Sequence, residues 1–113
     1  MQIVYSKNYL QSKKQLTKKH RTKELEHLIE IIDAIREAET YDDLKLTPTA
    51  YIYKFEELKN DKVGFASFNL NKNGGVIRLI VRPQDNKIVL ELVFISTKHY
   101  EDFEPKGVIF DVK

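Results

Sequence analysis

The chain has 113 residues, of which 42% are hydrophobic and 32% are charged, and its formal net charge at pH 7 is +2. This length predicts a single domain, residues 1–113, with one modest core. Because the chain has no cysteine, disulfide bonds, cysteine-ligated metals and a cysteine nucleophile are excluded.

The sequence carries no signal for a membrane. No apolar run approaches the roughly 18 residues that a membrane-spanning helix needs. The first five residues, Met1-Gln2-Ile3-Val4-Tyr5, do not open the long apolar stretch of a secretion signal. We therefore expect a cytoplasmic protein with no membrane partner.

Charges are segregated in the first part of the chain. Residues 7–23 contain seven basic side chains and no acidic one, whereas residues 24–43 contain eight acidic side chains and one basic residue, Arg36. Such segregation creates a local positive surface on a nearly neutral protein. Two interpretations are open: a surface that contacts phosphates, or two solvated helix faces that attract each other.

The first forty residues predict one short strand and two helices. Residues 2–5 are typical of a strand, and Ser6 is placed to cap a first helix over about residues 7–19. Thr22 is placed to cap a second helix over about residues 23–39. This second helix carries an apolar stripe at helical spacing, which indicates a core face. The stripe consists of Leu25, Leu28, Ile29, Ile32 and Ile35.

The middle of the chain has weaker signals. Residues 40–62 are predicted to be loop-like, because Pro48 interrupts any helix there. Within them, residues 51–55 are expected to form a short extended piece. The tail, residues 107–112, is a candidate edge strand.

The pattern changes to strands in the second half. Apolar and polar side chains alternate in residues 65–70 and again in residues 76–82, with a turn at residues 71–75 between them. A second turn at residues 83–86 leads to residues 87–95. That last segment is apolar on both faces apart from Glu91, which is typical of a central strand.

The predicted element order is therefore β-α-α-β-β-β. Helices followed by a run of strands indicate an α+β domain. We expect the two N-terminal helices to pack on one face of a small antiparallel sheet and the other face to stay partly open.

The open face is the predicted location of the chemistry. Alternation places Ser67, Asn69, Arg78 and Arg82 there, away from the helices. The two arginines are four residues apart on one strand, so they point the same way at a separation of roughly 13 Å. Arginines in this arrangement can bind consecutive phosphates, because the guanidinium group matches the phosphate oxygens.

The segment after the last strand, residues 96–103, concentrates reactive side chains. His99 suits proton transfer near neutral pH, Tyr100 and Phe103 can stack on unpaired bases, and Lys98 adds positive charge. A histidine and a tyrosine after a strand also commonly form a structural pair, so that role remains open for His99 and Tyr100.

The other two histidines are weaker candidates. His20 and His27 lie in or beside the predicted helices, and His27 is flanked by Glu26 and Glu30, which indicates a surface position. No set of His, Asp and Glu residues has the spacing of metal ligands. No metal and no small-molecule cofactor is expected.

Three stretches of the second half have the order and spacing of a known set of motifs. Residues 55–68 resemble the entry to the first sheet hairpin of RelE/ParE-type toxins, with Asn60 where that family often has glycine. Residues 77–81 resemble the family's arginine-bearing strand. Residues 94–103 resemble its closing strand and the terminal histidine-to-aromatic pattern of the HigB- and YafQ-like branches. The resemblance covers roughly residues 3–103.

This resemblance implies a toxin that is a metal-independent endoribonuclease and cuts mRNA in the ribosomal A site. The ribose 2′-OH attacks the adjacent phosphate, and a cognate antitoxin protein holds the toxin inactive. In the matching positions, Arg78 would bind the phosphate, His99 would supply acid-base chemistry and Phe103 would be the late aromatic. The implied partners are mRNA, the ribosome and the antitoxin.

The chain departs from the family at the general base. RelE carries two lysines on the first hairpin strand, where this sequence has Ser67 and Asn69. The nearest basic substitutes are Lys59, Lys62 and Lys72, which are also candidate RNA contacts. The sequence lacks the second central histidine of the YafQ-like branch, so a three-histidine site is not supported.

Two alternatives to the nuclease remain. One is a ParE-like toxin that inhibits DNA gyrase without cutting RNA, and the other is a non-catalytic interaction domain of the same fold. His99 beside Arg78 favours the nuclease, because gyrase inhibition needs no titrating acid. The low net charge and the missing lysines favour the interaction domain.

Overall fold

A computed structural model describes residues 1–72 and 74–103. The elements in this part of the chain are β1 (Gln2–Tyr5), α1 (Lys7–Lys18), α2 (Thr22–Glu37), α3 (Tyr41–Lys45), α4 (Pro48–Ile52), β2 (Glu56–Glu57), β3 (Ala66–Asn69), β4 (Arg78–Gln84) and β5 (Val89–Ser96). A short 3₁₀ turn, Asn60–Lys62, precedes β3. The candidate edge strand at residues 107–112 lies outside the described residues.

The strands form one sheet in the order β1-β5-β4-β3-β2. Neighbours from β2 to β5 pair antiparallel, as predicted, and β5 lies inside the sheet. β1, however, runs parallel to β5, with Ile3 opposite Leu90. The sheet is therefore mixed, and the prediction of an all-antiparallel sheet was wrong at this edge. Alternation shows which face a residue occupies but not the direction of the neighbouring strand.

Helices α1 and α2 pack on one face of this sheet, which confirms the predicted α+β class. The predicted cap of α1 is also confirmed: the Ser6 hydroxyl accepts from the backbone N–H of Tyr9 at 3.0 Å and donates to the Val93 carbonyl at 2.5 Å. The same side chain thus caps α1 and ties it to β5. Thr22 was the wrong cap for α2, because Arg21 holds that position and makes no side-chain cap bond.

The predicted loop over residues 40–62 was wrong, because it contains two one-turn helices. Thr40 caps α3 through the backbone N–H of Asp43 at 3.1 Å, and Thr47 caps α4 through that of Ala50 at 3.2 Å. Pro48 begins α4 instead of blocking a helix, since its missing N–H is not needed in a first turn. Residues 51–55 are accordingly the end of α4 and a turn, not an extended piece.

Both faces of the sheet are covered, so the partly open second face was a wrong prediction. The main core lies between the sheet and the helices. On the second face, Phe65, Ile80, Val93 and Phe103 form a smaller cluster. A β-bulge in β5, where the register shifts opposite Ile80 and Val81, lets the consecutive residues Val93 and Phe94 both join it.

The turn between β3 and β4 provides a test of local structure. Gly74 and Gly75 have φ angles of +63° and +62°. A Cβ atom at Gly74 would meet nothing within 4 Å, whereas one at Gly75 would overlap with Oδ1 of Asn71. That oxygen accepts from the backbone N–H of Ile77 at 3.0 Å.

We expect Gly74→Ala to lower the free energy of unfolding by about 1 kcal/mol, the cost of left-handed backbone. Gly75→Ala should cost about 2–3 kcal/mol, because it also displaces the Asn71 side chain. Urea denaturation of both variants measures the difference. Equal losses would contradict the contact at Gly75.

Candidate functional site

The site begins with Arg78, the first residue of β4. It lies between Asn69 of β3 and Ser96 of β5 in the sheet register. Its guanidinium Nη1 donates to the carbonyl of Gly75 at 3.2 Å, and the side chain is partly exposed. No acidic side chain pairs with it within the described part of the chain. Arg78 is thus an anchored cation that retains free donors.

The turn after β5 is built around the Ser96 side chain. Its hydroxyl donates to Oδ1 of Asp102 at 2.5 Å and accepts from the backbone N–H of Tyr100 at 2.9 Å. The other carboxylate oxygen of Asp102 accepts from the backbone N–H of Thr97 at 3.3 Å. These bonds hold His99 and Tyr100 in the left-handed region, with φ angles of +52° and +75°. Such backbone is uncommon for non-glycine residues and calls for support of this kind.

Tyr100 extends from this turn across the second face of the sheet to β3. Its phenolic oxygen lies 2.6 Å from the Ser67 hydroxyl and donates to Oε1 of Glu56 at 3.3 Å. Since the phenol proton points to the carboxylate, the Ser67 hydroxyl is the donor of the shorter bond. A chain of hydrogen bonds therefore runs from Ser67 through Tyr100 to Glu56.

The environment keeps the Tyr100 phenol protonated. Burial is the main cause that raises its pKa above that of an ordinary tyrosine, and the negative charge of Glu56 adds to the rise. The hydrogen bond from Ser67 and the positive charge of Arg78 act in the opposite direction. The phenol therefore remains a donor to Glu56 at neutral pH. Arg78 lies opposite Ser96 in the sheet register, and the Ser96 hydroxyl accepts from the backbone N–H of Tyr100, so Arg78 and Tyr100 are neighbours.

His99 lies on the outer side of this group. The side chain is exposed, and its ring centroid is 4.9 Å from that of Tyr100 at an interplanar angle of 57°. Tyr100 is thus the common neighbour of a histidine, an arginine and a carboxylate. Those are the group types that proton transfer and phosphate stabilisation require.

Other predicted site residues have different surroundings. Arg82 is paired with the buried Glu91, which accepts from Nη2 at 2.7 Å and from Nε at 2.9 Å, and its guanidinium lies 5.5 Å from the ring centroid of Phe65. Phe103 is 3% exposed in the second-face cluster, so its ring has no open face for a base. Both side chains support the sheet beneath the site.

The candidate lysines do not converge on one point. Lys98 is exposed in the turn after β5, and Lys59 is exposed just before the 3₁₀ turn. Lys62, within that turn, lies 3.3 Å from its neighbour Asp61. Lys72 lies at the β3–β4 turn with its ammonium group 5.6 Å from the ring centroid of Tyr53.

Sequence reasoning missed Glu56 and gave His27 the wrong environment. Glu56 pairs directly with Ser67 in the sheet register, so the two side chains share a face. A two-residue strand leaves no alternation that would have revealed this. His27 is not at the surface: it is 9% exposed, and its Nδ1 lies 2.6 Å from the carbonyl oxygen of Leu70.

Two further features are absent from residues 1–72 and 74–103. No group of three or more His, Cys, Asp and Glu side chains there is placed to hold a metal ion. None of the helices in that part of the chain has the length and apolar character needed to cross a membrane.

A mixed five-stranded sheet with two N-terminal helices on one face is the fold of RelE/YafQ-type toxins of toxin–antitoxin systems. No protein-family profile and no curated protein sequence matches the chain. Several solved structures do match it.

The chain is similar to YafQ from E. coli, with 20% identity, 84% of this chain and 90% of that chain covered and a TM-score of 0.59. It is also similar to a YoeB/ParE toxin from Agrobacterium tumefaciens, with 20% identity, 86% and 98% coverage and a TM-score of 0.61. The E. coli DinJ–YafQ complex matches with 20% identity, 90% and 97% coverage and a TM-score of 0.58.

The burial of Phe103 yields a direct test of its role. Its ring centroid lies 5.1 Å from that of Phe65 and 6.1 Å from that of Phe94. We expect Phe103→Ala to lower the free energy of unfolding by about 3–4 kcal/mol. Lys98→Ala, in the same turn but exposed, should change it by less than about 0.5 kcal/mol. Guanidinium denaturation measures both, and a loss below about 1 kcal/mol for Phe103→Ala would contradict a core position.

Proposed function

We propose that this protein is the toxin of a toxin–antitoxin system and acts as an endoribonuclease that cuts mRNA and so inhibits translation in the cytoplasm. The observation that carries the proposal is the group around Tyr100, which combines Arg78, His99 and Glu56. The fold adds support, because it is the fold of toxins of this type.

The proposed reaction is an internal transfer at one phosphate of the RNA. The ribose 2′-oxygen forms a bond to phosphorus, and the bond from phosphorus to the 5′-oxygen of the next nucleotide breaks. One proton leaves the 2′-hydroxyl and one proton reaches the departing 5′-oxygen. The products are a 2′,3′-cyclic phosphate and a free 5′-hydroxyl, so the step needs a base, an acid and a cation, but no co-reactant.

The proposed roles follow from the chemistry of each side chain. The Glu56 carboxylate is exposed and accepts protons, so it is the general base. His99 can donate a proton from an exposed ring, so it is the general acid. Arg78 stabilises the negative charge of the phosphorane, because its remaining N–H groups match phosphate oxygens.

Tyr100 is proposed as a positioning residue. Its phenol donates to Glu56 at 3.3 Å, and its ring lies beside the His99 ring. The hydrogen bond orients the carboxylate without protonating it, because burial keeps the phenol in its neutral form. In this proposal Glu56 takes the general-base role for which the family resemblance leaves no lysine at Ser67 and Asn69.

The proposed protein partner is an antitoxin. A structure with the same fold is that of the DinJ–YafQ toxin–antitoxin complex from E. coli. The basic run from Lys7 to Lys23 of this chain offers a surface for an acidic segment of such a partner. Opposite charges on two surfaces accelerate association and fix its orientation.

The first functional prediction concerns Arg78. We expect Arg78→Ala to reduce the rate of mRNA cleavage about 100-fold or more, because one donor to the transition-state charge is lost. Arg78→Lys should recover only part of it, since an ammonium group cannot form two parallel bonds. Arg36→Ala, a change of the same type on the exposed side of α2, is the matched control.

Primer extension on mRNA after induction in a bacterium, and cleavage by purified proteins, measure these rates. Parental activity of folded Arg78→Ala would show that the site is misplaced. DNA damage with intact mRNA would instead identify a gyrase inhibitor, and normal growth would identify an interaction domain.

The second functional prediction concerns the base and the acid. The proposed base Glu56 takes the proton of the 2′-hydroxyl, and the proposed acid His99 gives a proton to the departing 5′-oxygen, so Glu56→Gln and His99→Gln each remove one proton transfer. Each change should lower the rate of mRNA cleavage by about 10²–10⁴-fold. A parental cleavage rate in either folded variant would contradict that residue's role.

A further inference from the structure

A second cleft lies at the β3–β4 turn, on the helix side of the sheet. It has a volume of about 370 Å³ and is lined by Lys23, Glu24, His27, Asn71 and Lys72. None of these residues belongs to the group around Tyr100. Two of the five carry an ammonium group, and one is a buried histidine.

His27 forms the floor of this cleft and is held by its neighbours. His27 is 9% exposed, and its Nδ1 lies 2.6 Å from the Leu70 carbonyl oxygen. A carbonyl oxygen only accepts, so Nδ1 carries the proton and the Nε2 edge is the part of the ring left to line the cleft. The ring of Tyr53 supports His27 from a centroid distance of 5.3 Å.

Asn71 and Lys72 form one wall of the cleft. Asn71 donates to Oε2 of Glu24 at 2.8 Å and accepts from the backbone N–H of Ile77 at 3.0 Å, so it fastens the turn to α2. Lys72, the next residue, has a φ angle of +65°, and its ammonium group lies over the ring of Tyr53 at 5.6 Å. The position of this cation is therefore set by the fold.

The opposite wall is the first turn of α2. Lys23 lies in this turn. The side chain of the cap residue Arg21 accepts no hydrogen bond from the backbone N–H groups of the turn. Uncapped N–H groups and the helix dipole both favour an anion at such a place. Glu24 opposes an anion, but one of its oxygens is already held by Asn71.

We propose that this cleft binds a phosphate group of an RNA backbone, as a second contact beyond the cleavage site. Lys23 and Lys72 supply the charge, and the His27 ring forms the floor. The inference rests on the proposed function, because it takes RNA as the ligand. The β3–β4 turn connects the two places: Lys72 lies on one side of it, and on the other Arg78 donates to Gly75. One strand of RNA that crosses the turn can contact both.

The test measures binding of a single-stranded oligoribonucleotide with 2′-O-methyl groups, which cannot be cleaved by 2′-OH attack. The variant Lys23→Gln/Lys72→Gln is compared with the control Lys54→Gln/Lys87→Gln. The control removes the same charge, and Lys54, like Lys72, has a positive φ angle and lies over a tyrosine ring. Circular dichroism verifies that both proteins are folded.

We expect the cleft variant to bind about 5-fold or more weakly near 0.1 M salt, with a shallower dependence of affinity on salt, because each lost phosphate contact removes about 0.7 from the slope for a single strand. The control should bind as the parent does. Glu24→Gln should strengthen binding, because it removes the opposing charge. Equal affinities and slopes for cleft and control variants, with the oligonucleotide and with empty ribosomes alike, would overturn the proposal.

Two further arms complete the design. Empty ribosomes in place of the oligonucleotide show whether the phosphate comes from ribosomal RNA: the cleft proposal holds if Lys23→Gln/Lys72→Gln weakens either arm and fails if it weakens neither. Cleavage of unmodified mRNA by the parent is measured separately. If the parent cleaves mRNA and the cleft variant binds normally, only the cleft proposal fails. If the parent binds through the cleft but does not cleave, only the nuclease proposal fails.

Discussion

The Ser96 hydroxyl takes part in three hydrogen bonds that fold the end of β5 back onto the sheet, to Asp102, Lys98 and Tyr100. Without them, nothing local would favour the left-handed backbone of His99 and Tyr100. The burial of Phe103 at the far end of the turn supports the same conformation through the second-face cluster. The group around Tyr100 therefore depends on a serine that has no chemical role of its own.

The register between β4 and β5 determines which residue lies opposite each arginine of β4. Arg82 lies opposite Glu91, and the resulting ion pair compensates a carboxylate that is 1% exposed. A buried charge without its partner is costly, so this arginine is committed to the sheet. Arg78 lies opposite the neutral Ser96 instead. Two arginines that look equivalent in the sequence thus have different surroundings: Arg82 is paired with a carboxylate, and Arg78 has no acidic partner in the described part of the chain.

Elements with a clear periodicity of apolar side chains could be predicted from the sequence. The apolar spacing of α2 predicted that helix, and the alternation of β3 and β4 predicted the hairpin and the strand that carries Arg78. The stripe itself was wrong in part, because Ile29 is 60% exposed and the buried Ile31 was not included in it. Helices α3 and α4 were missed because five residues are too few to show a period, although the caps Thr40 and Thr47-Pro48 are visible in the sequence. Glu56 was missed because its position depends on pairing with Ser67, which only the folded chain creates. The apolar cluster that covers the second face was also missed, because its members come from separate segments of the chain: Phe65, Ile80, Val93 and Phe103.

If Arg78, Glu56 and His99 direct attack by a ribose 2′-hydroxyl on the adjacent phosphate, as we propose, the cut requires that hydroxyl. The most direct measurement compares two mRNAs on translating ribosomes, identical except for a single 2′-deoxy nucleotide at the position where the protein cuts, with end analysis of the fragments. We expect a 2′,3′-cyclic phosphate and a 5′-hydroxyl from the unmodified mRNA, and no cut at the deoxy position while binding is retained. Cleavage that persists at the deoxy position would show that the 2′-hydroxyl is not the nucleophile.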